Sequence, residues 1–296
     1  MNPLMECVPN YSEGRDLVKI EKILDVFRGK DGVKLLDYSS DSNHNRTVVT
    51  VVGEPGALGD AVVESVGRAL ELIDMTKHEG QHPRMGAVDV IPFIPIRGCT
   101  MADADSIARE TARRAAGRFG QPFFLYEESA SAPHRKNLAD IRKGQFEGMA
   151  AKMADPAWKP DFGPGSVHPT GGVTAIGARP PLIAFNVNLD TDRLDVAVNI
   201  AKAVRHIGGG LRCCKAMGVI LEERGVAQVS INMTDYTQTA VYRIFEMVKM
   251  EARRYGAGVL GCEIVGLVPM QALLDCAAYY LQLEGFDGTQ VLENRM

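Results

Sequence analysis

The sequence predicts an α+β fold of two α/β subdomains, each a mixed sheet with helices packed on it. Three features carry that expectation: strand-like and helical segments alternate in the first half, a proline- and glycine-rich stretch follows residue 153, and the second half joins strands by a hairpin as well as by crossovers.

In the first half, strand-like runs cover Val33 to Tyr38, Thr47 to Val52, Ala87 to Ile96 and Pro122 to Tyr126. Helical spacing marks residues 57–78, 101–118 and 136–153. The stretch ADPAWKPDFGPGSVHPTGGVTAIGARPP is too long for an ordinary connection, which marks it as functional or interdomain. Beyond it come a strand from Leu182 to Leu189, a helix near 190–206, and two strands around Glu222-Glu223-Arg224-Gly225. A helix near 236–255, the strand VLGCEIVGLVP and a helix at 270–283 complete the chain. The subdomains are expected at residues 1–178 and 179–296, and a crevice between such halves is a common site for small ligands.

The 296 residues are 46% hydrophobic and 24% charged, ordinary for a globular chain. A net charge of -4 argues against a nucleic-acid partner recruited by bulk charge. No apolar run approaches the roughly 20 residues that span a bilayer, so no membrane role is expected. The opening MNPLMECVPN lacks a secretory pattern. The six cysteines form no C-x-x-C pair, and a reduced, cytoplasmic protein is the simplest expectation.

Three stretches concentrate the chemistry. HEGQH, residues 78 to 82, spells a zinc-protease signature in which two helical histidines hold a metal and the glutamate is a base. Gly80 and Pro83 break the helix there, so His82 is expected beyond it and no metal is expected. His82 and Arg84 then lie in a turn leading into a strand, where an imidazole titrating near neutrality suits acid/base work or a structural bond to backbone. DYSSDSNHNRTV gathers Asp37, Asp41, Asn45 and Arg46, either as carboxylates for a cation with an arginine for an anion, or as an ordinary polar turn. DFGPGSVHPTGG supplies glycines that let backbone approach a ligand, or serves as a linker. No phosphate-binding glycine motif occurs, so nucleotide binding has no support.

MECVPNYSEGR, HPRMGAVDVIPFIPIRG, IRKGQFEGM, PDFGPGSVHPTGGVTAIGAR, LIAFNVNL, VAQVSINMTDY and VGLVPMQALLD together resemble the formiminotransferase family over almost the whole length. The resemblance implies transfer of the formimino group from N-formimino-L-glutamate to N5 of the co-substrate tetrahydrofolate, releasing L-glutamate, in histidine degradation. It implies a homodimer, and subdomains in ferredoxin-like layers with helices on one face of each sheet. His82 maps onto the family's catalytic acid/base. Asp161, Phe162, Gly163, Pro164, Gly165, Ser166, Val167, His168, Pro169, Thr170, Gly171 and Gly172 map onto its folate-binding stretch.

The donor is an amidinium with two carboxylates. Charge matching therefore suggests Asp37, Asp41 or Glu79 for its cation and Arg46, Arg84 or Arg97 for its anions. Ser39 stands where the family can carry an acidic residue, with Asp41 two places on, which leaves the amidinium partner open. The sequence does not separate formimino from formyl donors, or a transferase from a folate carrier without turnover. Folate polyglutamate length and channelling to a cyclodeaminase are equally open.

Overall fold

A computed structural model describes residues 2–295. It forms two compact units, one ending at Arg179 and the other starting at Pro180.

The first unit builds one mixed sheet from β1 (Leu4–Cys7), β2 (Asn10–Tyr11), β3 (Val33–Asp41), β4 (Arg46–Gly53), β5 (Val88–Arg97), β6 (Phe123–Leu125) and β7 (Thr174–Ala178). β4 runs antiparallel to β3 on one side and to β1 and β2 on the other; β5 pairs antiparallel with β1 and β2. β7 and β6 extend the sheet in parallel. Helices α1 (Leu17–Leu24), α2 (Pro55–Leu72) and α3 (Met101–Phe119) pack their apolar sides on one face. The stripe Leu58, Val62, Val66 and Ala69 of α2 meets the sheet core around Met5, Ile91 and Phe93. Pro55 presets the first turn of α2, and Thr100 with Asp103 closes a capping box on α3.

Two helical expectations change. The helix expected at 57–78 ends at Leu72, because Asp74 turns back to accept from Thr76 and Met75 N–H bonds Thr170 O at 2.8 Å. The helix expected at 136–153 splits into α4 (Leu138–Arg142) and α5 (Gln145–Met153). Lys152 Nζ caps the broken end through the carbonyls of Ile141 and Lys143, and Phe146 N–H bonds Arg84 O instead of continuing the helix. These two helices add a second, smaller core: Ile141, Met149 and Met153 pack with Val90, Phe124 and Ala175.

The second unit runs β8 (Ile183–Leu189), α6 (Leu194–Val204), β9 (Cys214–Leu221), β10 (Val226–Met233), α7 (Val241–Arg254), β11 (Val259–Val265) and α8 (Met270–Leu281). The hairpin strand β10 inserts between β8 and β9, giving the order β11-β8-β10-β9. Every neighbouring pair is therefore antiparallel, so the mixed pairing expected of both sheets holds only for the first. This βαββαβ order is the ferredoxin-like arrangement, and β1/β2-α1-β3-β4-α2-β5 repeats it in the first unit. Phe185, Val187, Val229 and Ile231 meet Val196, Ile200, Ile244 and Val248 in its core.

Candidate functional site

The β3–β4 turn and the segment between α2 and β5 are distant in sequence and meet in the fold. Asn45, buried and left-handed at φ 49°, ties them together. Its side chain accepts from Gly14 N–H at 2.9 Å and donates to Glu79 O at 2.9 Å, while its carbonyl lies 2.9 Å from His78 Nε2. Gln81 N–H bonds Asn43 O at 3.1 Å. Gly80 lies so close to the His44 carbonyl that no Cβ fits between them. The buried carboxylate of Glu13 fixes the N-terminal side by accepting the N–H groups of Gly14, Arg15 and Asp16.

His82 stands at the centre, outside any helix as the sequence suggests. Its Nε2 contacts Arg46 Nη1. A guanidinium only donates, so Nε2 must accept and the proton of the neutral ring sits on Nδ1. That Nδ1 is buried without a hydrogen bond. Burial, then the charges of Arg46 and Arg142 and the neighbouring His44, lower the imidazole from 6.5 to about 3, with the Pro83 backbone opposing. His82 is thus neutral at pH 7. Its folded value lies below its ordinary one, so stability falls as pH drops from about 6.5 toward about 3.

Arg46 has no carboxylate within salt-bridge distance among the described residues, and burial and the charge of Arg142 lower its own basicity. Arg142 is held by the buried Asp89 at 2.5 Å, whose other oxygen accepts Met85 N–H at 2.9 Å. Asp41 accepts from Asn43 and His44 backbone N–H at 2.8 Å each, and its second oxygen lies 2.7 Å from His44 Nδ1. Burial works against its charge, but these bonds prevail and keep its carboxyl below the ordinary range.

The other residues singled out in the sequence divide. Asp41, Arg46 and His82 come together. Asp37 sits exposed in β3 opposite Thr50, four residues and about 13 Å before Asp41. Glu79 is exposed, and only its carbonyl enters the network. Arg84 is buried and fully occupied: it bonds His78, Gln145 and both oxygens of Glu147. It therefore holds the turn and has no donor left for a substrate. Arg97 lies exposed at the far end of β5.

In the 161–172 stretch, the Asp161 side chain accepts Leu125 N–H at 2.8 Å and pairs with Arg135 at 3.0 Å, both side chains being largely buried. Phe162 joins the core beside Phe123. Gly163, Pro164, Gly165 and Ser166 are exposed, and Val167 packs on the second core. His168 Nδ1 accepts Gly171 N–H at 2.8 Å, with Pro169 exposed beside it. Thr170, Gly171 and Gly172 bond Met75, Ala87 and the Gly86 region, which fastens this end of the stretch to the His82 segment. Gly172 has φ 68° and faces Met85 O with no room for a Cβ. Gly172→Ala is expected to destabilise the protein by about 1–3 kcal/mol from backbone strain alone, read as a lowered urea midpoint.

His44, Arg142 and Glu13 escaped the sequence reading. Arg142 meets Asp89 and His44 meets His82 across more than 30 residues, which no local pattern announces, whereas Glu13 acts on the three backbone N–H groups that follow it.

The chain matches the family model "Formiminotransferase domain, N-terminal subdomain" over residues 4–179 and "Formiminotransferase domain" over residues 184–293. It is 52% identical to glutamate formimidoyltransferase of Streptococcus pyogenes serotype M1, covering 100% of this chain and 99% of that protein. It is 45% identical to glutamate formimidoyltransferase of Thermoplasma acidophilum, covering 99% and 97%. Identity to formimidoyltransferase-cyclodeaminase of Mus musculus is 42%, over 96% of this chain and 53% of that protein.

Proposed function

The chain belongs to the formiminotransferase family, and from that premise we propose that it transfers the formimino group of N-formimino-L-glutamate to N5 of tetrahydrofolate with His82 as general acid/base. L-glutamate leaves, and tetrahydrofolate is the co-substrate. The observation that carries the role of His82 is its Nε2 lone pair, held against Arg46, a half-buried cation without a carboxylate partner among the described residues.

A glutamate carboxylate supplies the anion Arg46 lacks. Once Arg46 turns to that carboxylate, Nε2 is released and the charge that suppresses its basicity is neutralised. The imidazole can then take the proton that N5 loses on attacking the amidine carbon. Asp41 is the carboxylate in the turn that offers charge complementary to the amidinium. The exposed Gly163–Ser166 backbone and the tethered His168–Gly172 segment are read as the folate contacts. The working form is taken as a cytoplasmic homodimer.

The test is formation of 5-formiminotetrahydrofolate by the purified chain. No turnover with either formiminoglutamate or formylglutamate would sink the reading. Arg46→Met is expected to raise KM for formiminoglutamate about 10- to 100-fold, the cost of one charge-assisted bond. It should also raise the His82 pKa from about 3, since a nearby cation is gone, and so flatten the acid-side loss of stability. Imidazole NMR titration and urea midpoints against pH check both signs.

A further inference from the structure

His44 is not used by the mechanism above, although its ring lies edge-on to the ring of His82. We propose that His44, held by Asp41, is a second catalytic imidazole that protonates the departing glutamate nitrogen while His82 accepts the proton of N5. This rests on the transferase reading and divides between two rings the work assigned there to one.

The geometry carries the proposal. His44 Nδ1 lies 2.7 Å from Asp41 Oδ2, and the other Asp41 oxygen is fixed by two backbone N–H groups at 2.8 Å. The carboxylate thus anchors Nδ1–H and turns Nε2 away from itself, the orientation a carboxylate gives to an acid/base imidazole. The backbone of His44 is pinned against Gly80, and Asn45 holds the turn in place. The two ring centroids are 6.2 Å apart at an interplanar angle of 75°. An N–C–N unit of about 2.4 Å with a hydrogen bond of about 2.8 Å at each end is longer than that separation, so the reacting carbon lies beside the ring pair, not between the rings. Each ring then addresses a different nitrogen, and neither has to swing from one to the other.

Charged groups reach the two rings from several segments, Arg142 of α4 among them. Asp41 and Arg46 lie on its own hairpin. Glu13 and Arg15 come from the N-terminal segment, with Arg15 Nε donating to Ser42 O at 2.8 Å. Glu79 and His82 come from the segment before β5.

The step balances. N5 forms a bond to the amidine carbon and gives its proton to His82 Nε2. The bond from that carbon to the glutamate nitrogen breaks, its electron pair stays on nitrogen, and it takes the Nε2 proton of His44, which enters the step protonated on both ring nitrogens. His82 is left protonated and His44 neutral, so one proton returning from His82 to His44 resets the site with no net change.

The test uses full-length His44→Gln, His44→Ala and Asp41→Asn, with tetrahydrofolate binding and circular dichroism as controls for folding. His44→Gln is expected to lower kcat about 10- to 100-fold with both KM values changed less than about 2-fold. The fall of kcat at alkaline pH, where a general acid is lost, should flatten. Added imidazole should restore part of the activity of His44→Ala, and Asp41→Asn should fall between wild type and His44→Gln. Wild-type kcat and pH profile in folded His44→Gln would overturn the proposal, as would a loss that keeps the profile's shape and ignores imidazole. If His82→Ala remains active, the underlying role of His82 fails instead. If His82→Ala is inactive while His44→Gln is normal, only this proposal falls.

Discussion

Replacing His82 by Ala is expected to lower kcat by about 10²- to 10⁴-fold while tetrahydrofolate still binds. The side chain is not a structural support: its neighbours are the Arg46 guanidinium, the edge of the His44 ring and the Pro83 backbone, and no carboxylate or core cluster among the described residues holds it. Removing it relieves a desolvated ring and leaves Arg46 free to bind a carboxylate, so donor affinity should hold or improve. Steady-state kinetics with formiminoglutamate, alongside isothermal titration with tetrahydrofolate, separate the two effects. Near-normal kcat would remove His82 from the reaction. Loss of folate binding in equal measure would make it a structural residue.

Asp161→Ala is expected to cost about 3–5 kcal/mol of stability, because it strands the guanidinium of Arg135 in the protein interior. That guanidinium is only 8% exposed and also donates to the carbonyls of Ala157 and Lys159 at 2.7 and 2.6 Å. It also lies over the ring of Phe124 in the second core, 5.4 Å from the ring centroid. The resemblance places Asp161 in the folate-binding stretch, yet the carboxylate faces protein partners. The two roles separate experimentally. A beam lowers the urea midpoint and leaves KM for tetrahydrofolate in the surviving folded protein nearly unchanged. A ligand contact raises KM at constant midpoint, and that outcome would reject the structural role.

Local pattern made much of the architecture legible. The strand-like runs Val33–Tyr38 and Thr47–Val52, the turn at Glu222–Gly225 and the stripe of α2 each depend on residues close in sequence. The end of α2 was not legible, since Met75 is drawn off by Thr170, nearly a hundred residues later. The break between α4 and α5 depends likewise on Arg84. The antiparallel second sheet follows from where β10 inserts, which no single strand encodes. At the site, sequence proximity put Asp37 beside Asp41, but strand geometry carries it away. Charge matching favoured Arg84, whose donors Glu147, Gln145 and His78 already consume. His44 and Arg142 became visible only once separate segments were folded together.

The β3–β4 hairpin has a kinetic consequence. It closes over the short turn Ser42–Asn45, so its contacts are local and can form on the microsecond scale of isolated hairpins. Its other neighbours, β1 and β2, must arrive from about 40 residues upstream, and the His82 segment from about 40 downstream. Such non-local closures are slow because loop entropy is lost before any contact rewards it. Asp41, His44 and Arg46 are therefore expected to be aligned early, and His82 to join them late. A newly made chain would acquire its hairpin before its activity, and recovery of turnover after dilution from urea should lag behind recovery of sheet signal.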